Sequence, residues 1–151
     1  METVFKTVGE VRITNTLSVS EGTIAYEAAV KLLQTGFQGL SVLDSEMRVI
    51  GKITEIDLLK ALKAGQDLKQ ILAEEMMSPP PPIITSETSL TEAVEIMESQ
   101  HLLRLPVLKE GCFVGNITRH DLLRAWLEIW NPWNIKEGEW VSPRAAKNLK
   151  S

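Results

Sequence analysis

Gly51-Lys52-Ile53-Thr54-Glu55-Ile56-Asp57-Leu58-Leu59 recurs as Gly115-Asn116-Ile117-Thr118-Arg119-His120-Asp121-Leu122-Leu123, with Gly, Ile, Thr, Asp, Leu and Leu held at an offset of 64 (115 minus 51). Chance does not account for a match this dense, so the chain contains an internal duplication. Upstream the match continues at an offset of 65, pairing Val19 with Ile84, Thr23 with Thr88, Glu27 with Glu92, Ala28 with Ala93, Leu32 with Met97, Leu40 with Leu105, Val42 with Val107 and Leu43 with Leu108. One residue is therefore lost between Leu43–Ile50 and Leu108–Val114. Each of these stretches reads as strand, polar turn and strand, and a turn absorbs such a loss most readily.

Outward from the hairpins, Ala28, Leu32 and Leu33, then Ala93, Val94 and Met97, recur at helical spacing; Leu58, Leu59 and Leu62 do the same after the first hairpin. The unit is therefore short strand, helix, two strands, helix. Thr23 and Thr88 are the expected N-caps of the first helices, and Gly36 and Gly65 the expected helix ends. Pro79-Pro80-Pro81-Pro82 fixes φ and pushes its neighbours extended, leading the second unit into a first strand at Ile83-Ile84-Thr85. At the equivalent place the first unit has Thr14-Asn15-Thr16-Leu17, with no proline.

A unit of β-α-β-β-α order, repeated and closing on G-x-[IV]-T-x-x-D-[LI]-[LI], resembles the CBS (cystathionine β-synthase) domain pair, or Bateman module, over residues 6–127. The two motif copies, Glu27-Ala28 and Glu92-Ala93, and Leu105-Pro106-Val107 carry the resemblance. It implies an α+β fold of two units related by a pseudo-two-fold axis and packed through their sheets, with two clefts for adenosyl compounds. The expected organisation is unit 1 at 6–62, a linker at 63–70, unit 2 at 71–127 and a tryptophan-containing extension at 128–151.

Each motif lies where a strand runs into a helix. A helix N-terminus offers free N–H groups and the positive end of the macrodipole, which favour an anion such as phosphate. Thr54 and Thr118 fall at N-cap, with hydroxyls for that phosphate; Asp57 and Asp121, one turn on, are placed to accept both hydroxyl protons of a ribose. The resemblance assigns the same roles. The competing reading is structural, because T-x-x-D at a helix start is also a capping box, in which the acid bonds back to the cap residue.

The copies differ. Between Thr and Asp the second has Arg119-His120 and the first Glu55-Ile56, and a guanidinium suits a phosphate where a carboxylate repels it. His120 adds a contact when protonated, or is a solvated helix residue. By resemblance, Ile83, Ile84, Thr85 and the strand carrying Pro106 supply the adenine slot, although each also suits a buried strand. Ser41 stands where the second unit has Pro106. The second corner is thus expected to bind more strongly than the first, with AMP, ADP, ATP or S-adenosylmethionine as ligand and no obligatory cofactor.

In composition the chain is 44% hydrophobic and 24% charged, as in a soluble globular protein. Its 16 basic residues against 20 acidic ones argue against nucleic-acid binding. The single cysteine, Cys112, and the absence of metal-ligand spacing point to a reducing cytoplasm and to no metal. No membrane-spanning run is apparent, and no nucleophile is paired with a base, so an enzyme is not expected. Leu122, Leu123, Ala125, Trp126, Leu127, Ile129 and Trp130 leave the last helix almost no polar face, which predicts association, by resemblance as a homodimer. All four tryptophans, Trp126, Trp130, Trp133 and Trp140, lie in this last portion. The expected function is a stand-alone regulatory module that binds an adenosyl ligand and signals to a partner protein. The alternative is a dimerisation or protein-interaction module with empty clefts.

Overall fold

The structure, a computed structural model, describes residues 3–128. The first unit runs β1 (Ser18–Ser20), α1 (Ala25–Thr35), β2 (Gly39–Leu43), β3 (Val49–Thr54) and α2 (Glu55–Lys63). A short α3 (Ala73–Met76) follows, and then β4 (Ile84–Thr85), α4 (Leu90–Gln100), β5 (Arg104–Lys109), β6 (Cys112–Thr118) and α5 (Arg119–Leu127). Two three-stranded sheets result, β1-β2-β3 and β4-β5-β6, each with its first pair parallel and its second antiparallel. Leu40 faces Ile53 across the first hairpin and Leu105 faces Ile117 across the second, so the sequence repeat is a repeat of register.

The missing residue is explained by the turns. In the second hairpin Glu110 and Gly111, at φ 53° and 80°, close a two-residue loop of the kind that matches strand twist. The first hairpin is longer and is held by Asp44, whose carboxylate accepts from the Glu46 and Arg48 N–H groups and from the Arg48 guanidinium.

The first helices start later than expected. Ile24 occupies the α1 N-cap without a side-chain bond, and the Ala25 N–H is satisfied instead by the Ile71 carbonyl. Ser89, not Thr88, caps α4, its Oγ accepting from the Glu92 N–H. Thr23 and Thr88 serve the preceding turns, Thr23 sharing a hydrogen bond with Ser20 and Thr88 accepting from the Thr85 N–H. Gly36 ends α1 in the left-handed conformation (φ 73°), and His101 takes that conformation at the end of α4. Gly65, also left-handed, comes one residue after the α2 C-cap.

Each core is completed by the leading segment of the other unit. Ala73, with Ile71, Met76 and Met77, packs against the first core of Leu32, Leu40, Val42 and Ile53. Val8 and Val11, with Phe5 and Ile13, pack against the second core of Met97, Leu105, Val107 and Ile117. The same hydrogen bonds recur 65 residues apart: Val8 N–H to the Thr88 carbonyl matches Ala73 N–H to Thr23, and Gly9 to Ser86 matches Glu74 to Glu21. The packing therefore crosses the boundaries that the repeat suggests.

The motif glycines make this exchange possible. A Cβ at Gly51 would overlap the Met77 side chain, and one at Gly115 would press on Ile13 and the Asn15 carbonyl. Beside them the Lys52 and Ser78 backbones exchange hydrogen bonds, and the Asn116 N–H donates to the Asn15 carbonyl at 2.7 Å. On α5, Leu122 and Ala125 are buried and Trp126 packs partly against the core, whereas Leu123 is 59% exposed. Ile129, Trp130, Trp133 and Trp140 lie outside the described residues.

Candidate functional site

Both T-x-x-D corners form complete capping boxes. At the second, the Asp121 N–H donates to Thr118 Oγ1 (3.0 Å) and the Thr118 N–H to Asp121 Oδ2 (3.0 Å). At the first, the Thr54 N–H and hydroxyl both donate to Asp57 Oδ2 at 2.9 Å. Oδ1 of each acid turns to the other unit's leading segment: Thr14 donates its hydroxyl to Asp121 (2.8 Å) and Ser78 donates its hydroxyl to Asp57 (2.9 Å). Thr14 and Ser78 are 64 apart (78 minus 14), like the two acids (121 minus 57), so the two contacts are one contact seen twice. A carboxylate oxygen that accepts an alcohol at this junction has the chemistry needed for a ribose hydroxyl.

The helix ends are less bare than expected. The first N–H of each helix is taken by the preceding loop, Glu55 donating to the Gln38 carbonyl and Arg119 to the Leu103 carbonyl. The Arg119 Nε–H donates to the Leu102 carbonyl at 2.7 Å, and the residue lines an apolar groove between α4 and α5. His120 is exposed on α5. Of the strand residues expected at the adenine slot, Ile84 and Pro106 are buried, whereas Ile83 and Thr85, on either side of Ile84, are exposed, as the alternation of side chains along an extended chain requires.

The corners differ in access. The Asp121 side chain has no exposed surface and lies 3.7 Å from the Arg124 guanidinium. Asp57 is half-buried and borders an open polar groove of about 380 Å³ with Lys60, Gln66 and Glu75.

Between the units, a cavity of about 150 Å³ is lined by Leu40, Ser41, Lys52, Pro81, residues 101–104 and Asn116. Asn116 is buried; its Oδ1 accepts from the Ser41 hydroxyl (3.0 Å), and its amide NH₂ has no partner among the described residues. The Arg104 guanidinium has no ion-pair or hydrogen-bond partner among the described residues, and burial lowers its pKa. It lies against the backbone of Gly39, where a Cβ would collide with it. Arg104, Lys52 and Asn116 carry no role in the sequence reading. Arg104 adjoins the quoted Leu105-Pro106-Val107, but Lys52 and Asn116 occupy a position where the two motif copies differ.

The sequence matches the CBS domain family over residues 8–64 and again over 73–128. The chain belongs to the CBS domain family. It is 29% identical over 119 residues to an uncharacterized protein of Methanopyrus kandleri, covering 78% of this chain and 61% of that protein, less than two thirds of its length. Among solved structures, CBSX2 in complex with AMP matches with a TM-score of 0.68 at 27% identity, over 84% of this chain and 100% of that chain. The CBS domain pair of protein MJ0100, in complex with 5′-methylthioadenosine and S-adenosyl-L-methionine, matches with a TM-score of 0.64 at 21% identity, over 78% and 93%, and shares the fold. Among the described residues of this CBS pair, no helix is long and apolar enough to cross a membrane, and no three His, Cys, Asp or Glu side chains group as a metal site.

Proposed function

We propose that this CBS pair is a cytoplasmic regulatory module, not an enzyme, that binds an adenosyl ligand where the T-x-x-D corner of one unit meets the leading segment of the other, and that it signals the bound state to a partner protein. The observation that carries this reading is the paired grip of Ser78 on Asp57 and of Thr14 on Asp121. A ribose hydroxyl replaces the Ser78 or Thr14 hydroxyl on the same oxygen, so binding loosens a contact between units and is felt by both cores. AMP in the related CBSX2 complex supports an adenosyl ligand.

The sequence favours the second corner through Arg119, but access favours the first. Asp57 is half-open, whereas a ligand at Asp121 must displace Thr14 from a fully buried acid. Asp57 with Thr54 is therefore the primary site of this proposal, and Asp121 with Thr118 the secondary one. Ile84 and Pro106 act through the core that shapes the cleft, and His120 and Arg119 belong to the secondary corner, on the first turn of α5.

A thermal-shift series with adenosine, AMP, ATP and S-adenosylmethionine tests the reading. A ligand present at 100 times its Kd adds about 2.7 kcal/mol of stability. Asp57→Ala should remove most of that gain, and Asp121→Ala less. If no adenosyl compound stabilises the protein, the interaction-module reading replaces this one, and the apolar α4–α5 groove is what favours it.

A further inference from the structure

The apolar groove between α4 and α5 lies beside the last described residue, Glu128. We infer that residues 129–135, which follow directly, fold back over this groove, so that the chain covers the face with its own C-terminal segment. No residue of either Thr–Asp pair lines the groove, so the adenosyl reading stands or falls separately.

The groove measures about 510 Å³, with Val94 and Met97 on its α4 wall and Leu122, Leu123 and Trp126 on its α5 wall. Leu123 is 59% exposed there, so apolar surface faces water along the wall. The direction of the chain at the end of α5 leads towards it. Glu128 is left-handed (φ 58°), and its N–H donates to the Ala125 carbonyl at 3.2 Å. That is one of the two bonds of a Schellman helix end, in which an apolar residue after the left-handed one packs back on the last turns of the helix. The following residue is Ile129, and the positions it packs on are Leu123 and Arg124.

Composition and spacing fit the same occupant. Ile129-Trp130-Asn131-Pro132-Trp133-Asn134-Ile135 carries no charge and puts two tryptophans and two isoleucines against apolar walls. Pro132 fixes its own φ and holds Asn131 extended. In an extended chain of the polyproline kind every third residue falls on one side, about 9 Å apart, which sets Trp130 and Trp133 together. Along α5 the groove runs from Trp126 back to Arg119, about 10 Å at the rise of a helix. With Trp130 beside Trp126, Trp133 reaches Arg119, whose Nε–H is held by the Leu102 carbonyl, and an indole pairs favourably with a guanidinium. The tether decides between this segment and a second copy. A directly attached segment has an effective concentration of roughly millimolar order, above that of a second copy in dilute solution. The face is therefore closed to partners until residues 129–135 are displaced.

Tryptophan fluorescence of the full chain tests this. With Trp126→Phe and Trp140→Phe, only Trp130 and Trp133 remain as emitters. Their emission should be blue-shifted, and their quenching by iodide severalfold weaker than that of free tryptophan, at every protein concentration from sub-micromolar upward. Leu123→Lys, added at an exposed position of the groove wall, should move the emission to the red and raise quenching to the free value, with the far-ultraviolet circular dichroism unchanged. Red, freely quenched emission before that change overturns the inference. Protection that survives Leu123→Lys overturns it too, because the segment is then buried elsewhere. So does protection that fades on dilution together with a dimer-to-monomer shift in sedimentation, which makes a second copy the occupant. In the otherwise wild-type chain, Trp130→Ser with Trp133→Ser should uncover the groove, read as increased binding of 1-anilinonaphthalene-8-sulfonate or as new dimer in sedimentation; neither change also overturns it.

Discussion

Asp57 and Asp121 each cap their own helix and also hold a hydroxyl from a segment far away in sequence. Their environments differ enough to separate those two roles by mutation. Asp121 is fully buried, so Asp121→Ala leaves the Thr118 N–H and the Thr14 hydroxyl short of an acceptor, at about 2–3 kcal/mol of stability. Asp57→Ala opens onto water that can replace the acid, and should cost about 1 kcal/mol, as for a lost cap. Urea denaturation of the two variants checks the order; equal costs would remove the argument from access. The Thr and Asp of each corner were legible because capping and ribose binding both ask for those residues at that spacing. Their partners were not, because the Thr14–Asp121 bond spans 107 residues and no local pattern encodes it. Arg104 was hidden for a related reason: an arginine at the start of a strand is ordinary until the fold buries it with no counter-charge among the described residues.

Strand and helix identities followed directly from periodicity, and the starts of the helices did not. Two hydroxyls in a row at Thr88-Ser89 offer alternative caps, and the turn after β4 claims the first of them. Ser89→Ala should therefore cost about 1 kcal/mol by chemical denaturation, and Thr23→Ala, whose hydroxyl bonds to Ser20 and caps no helix, clearly less. The motif glycines are a second case at this scale. At Gly51 an added methyl meets the Met77 side chain from Sδ back through Cγ to Cβ, of which the outer atoms can turn aside. At Gly115, whose φ is 149°, it meets Ile13 and a backbone oxygen that strand pairing holds in place. Gly115→Ala should destabilise the fold by about 1–3 kcal/mol, and by more than Gly51→Ala does. Reversed values in the same denaturation series would show that the exchanged segments yield more easily than their hydrogen bonds imply.

Across the whole molecule the duplication does not produce two independent halves, and the sequence repeat alone gave no sign of that. Offsets of 64 and 65 say which residues are alike; they do not say which core each leading segment completes. Because residues 5–13 close the core of the second unit and residues 71–77 that of the first, neither sheet keeps its hydrophobic face covered when the other unit opens. Val8 shows the consequence. It is completely buried in the second core although it belongs to the leading segment of the first unit, and burying a valine contributes about 1.5–3 kcal/mol. If the exchange binds the units into one cooperative body, Val8→Ala lowers the stability of both sheets by the same amount, and unfolding remains a single transition. Hydrogen exchange at amides of the first sheet, such as Val42, and of the second, such as Val107, measures this directly. Equal loss of protection at both is expected, even though Val8 touches only the second core. Loss confined to Val107 and its neighbours, or two separate melting steps, would mean that the halves unfold independently, and a ligand at Asp57 would then have no mechanical route to the other unit.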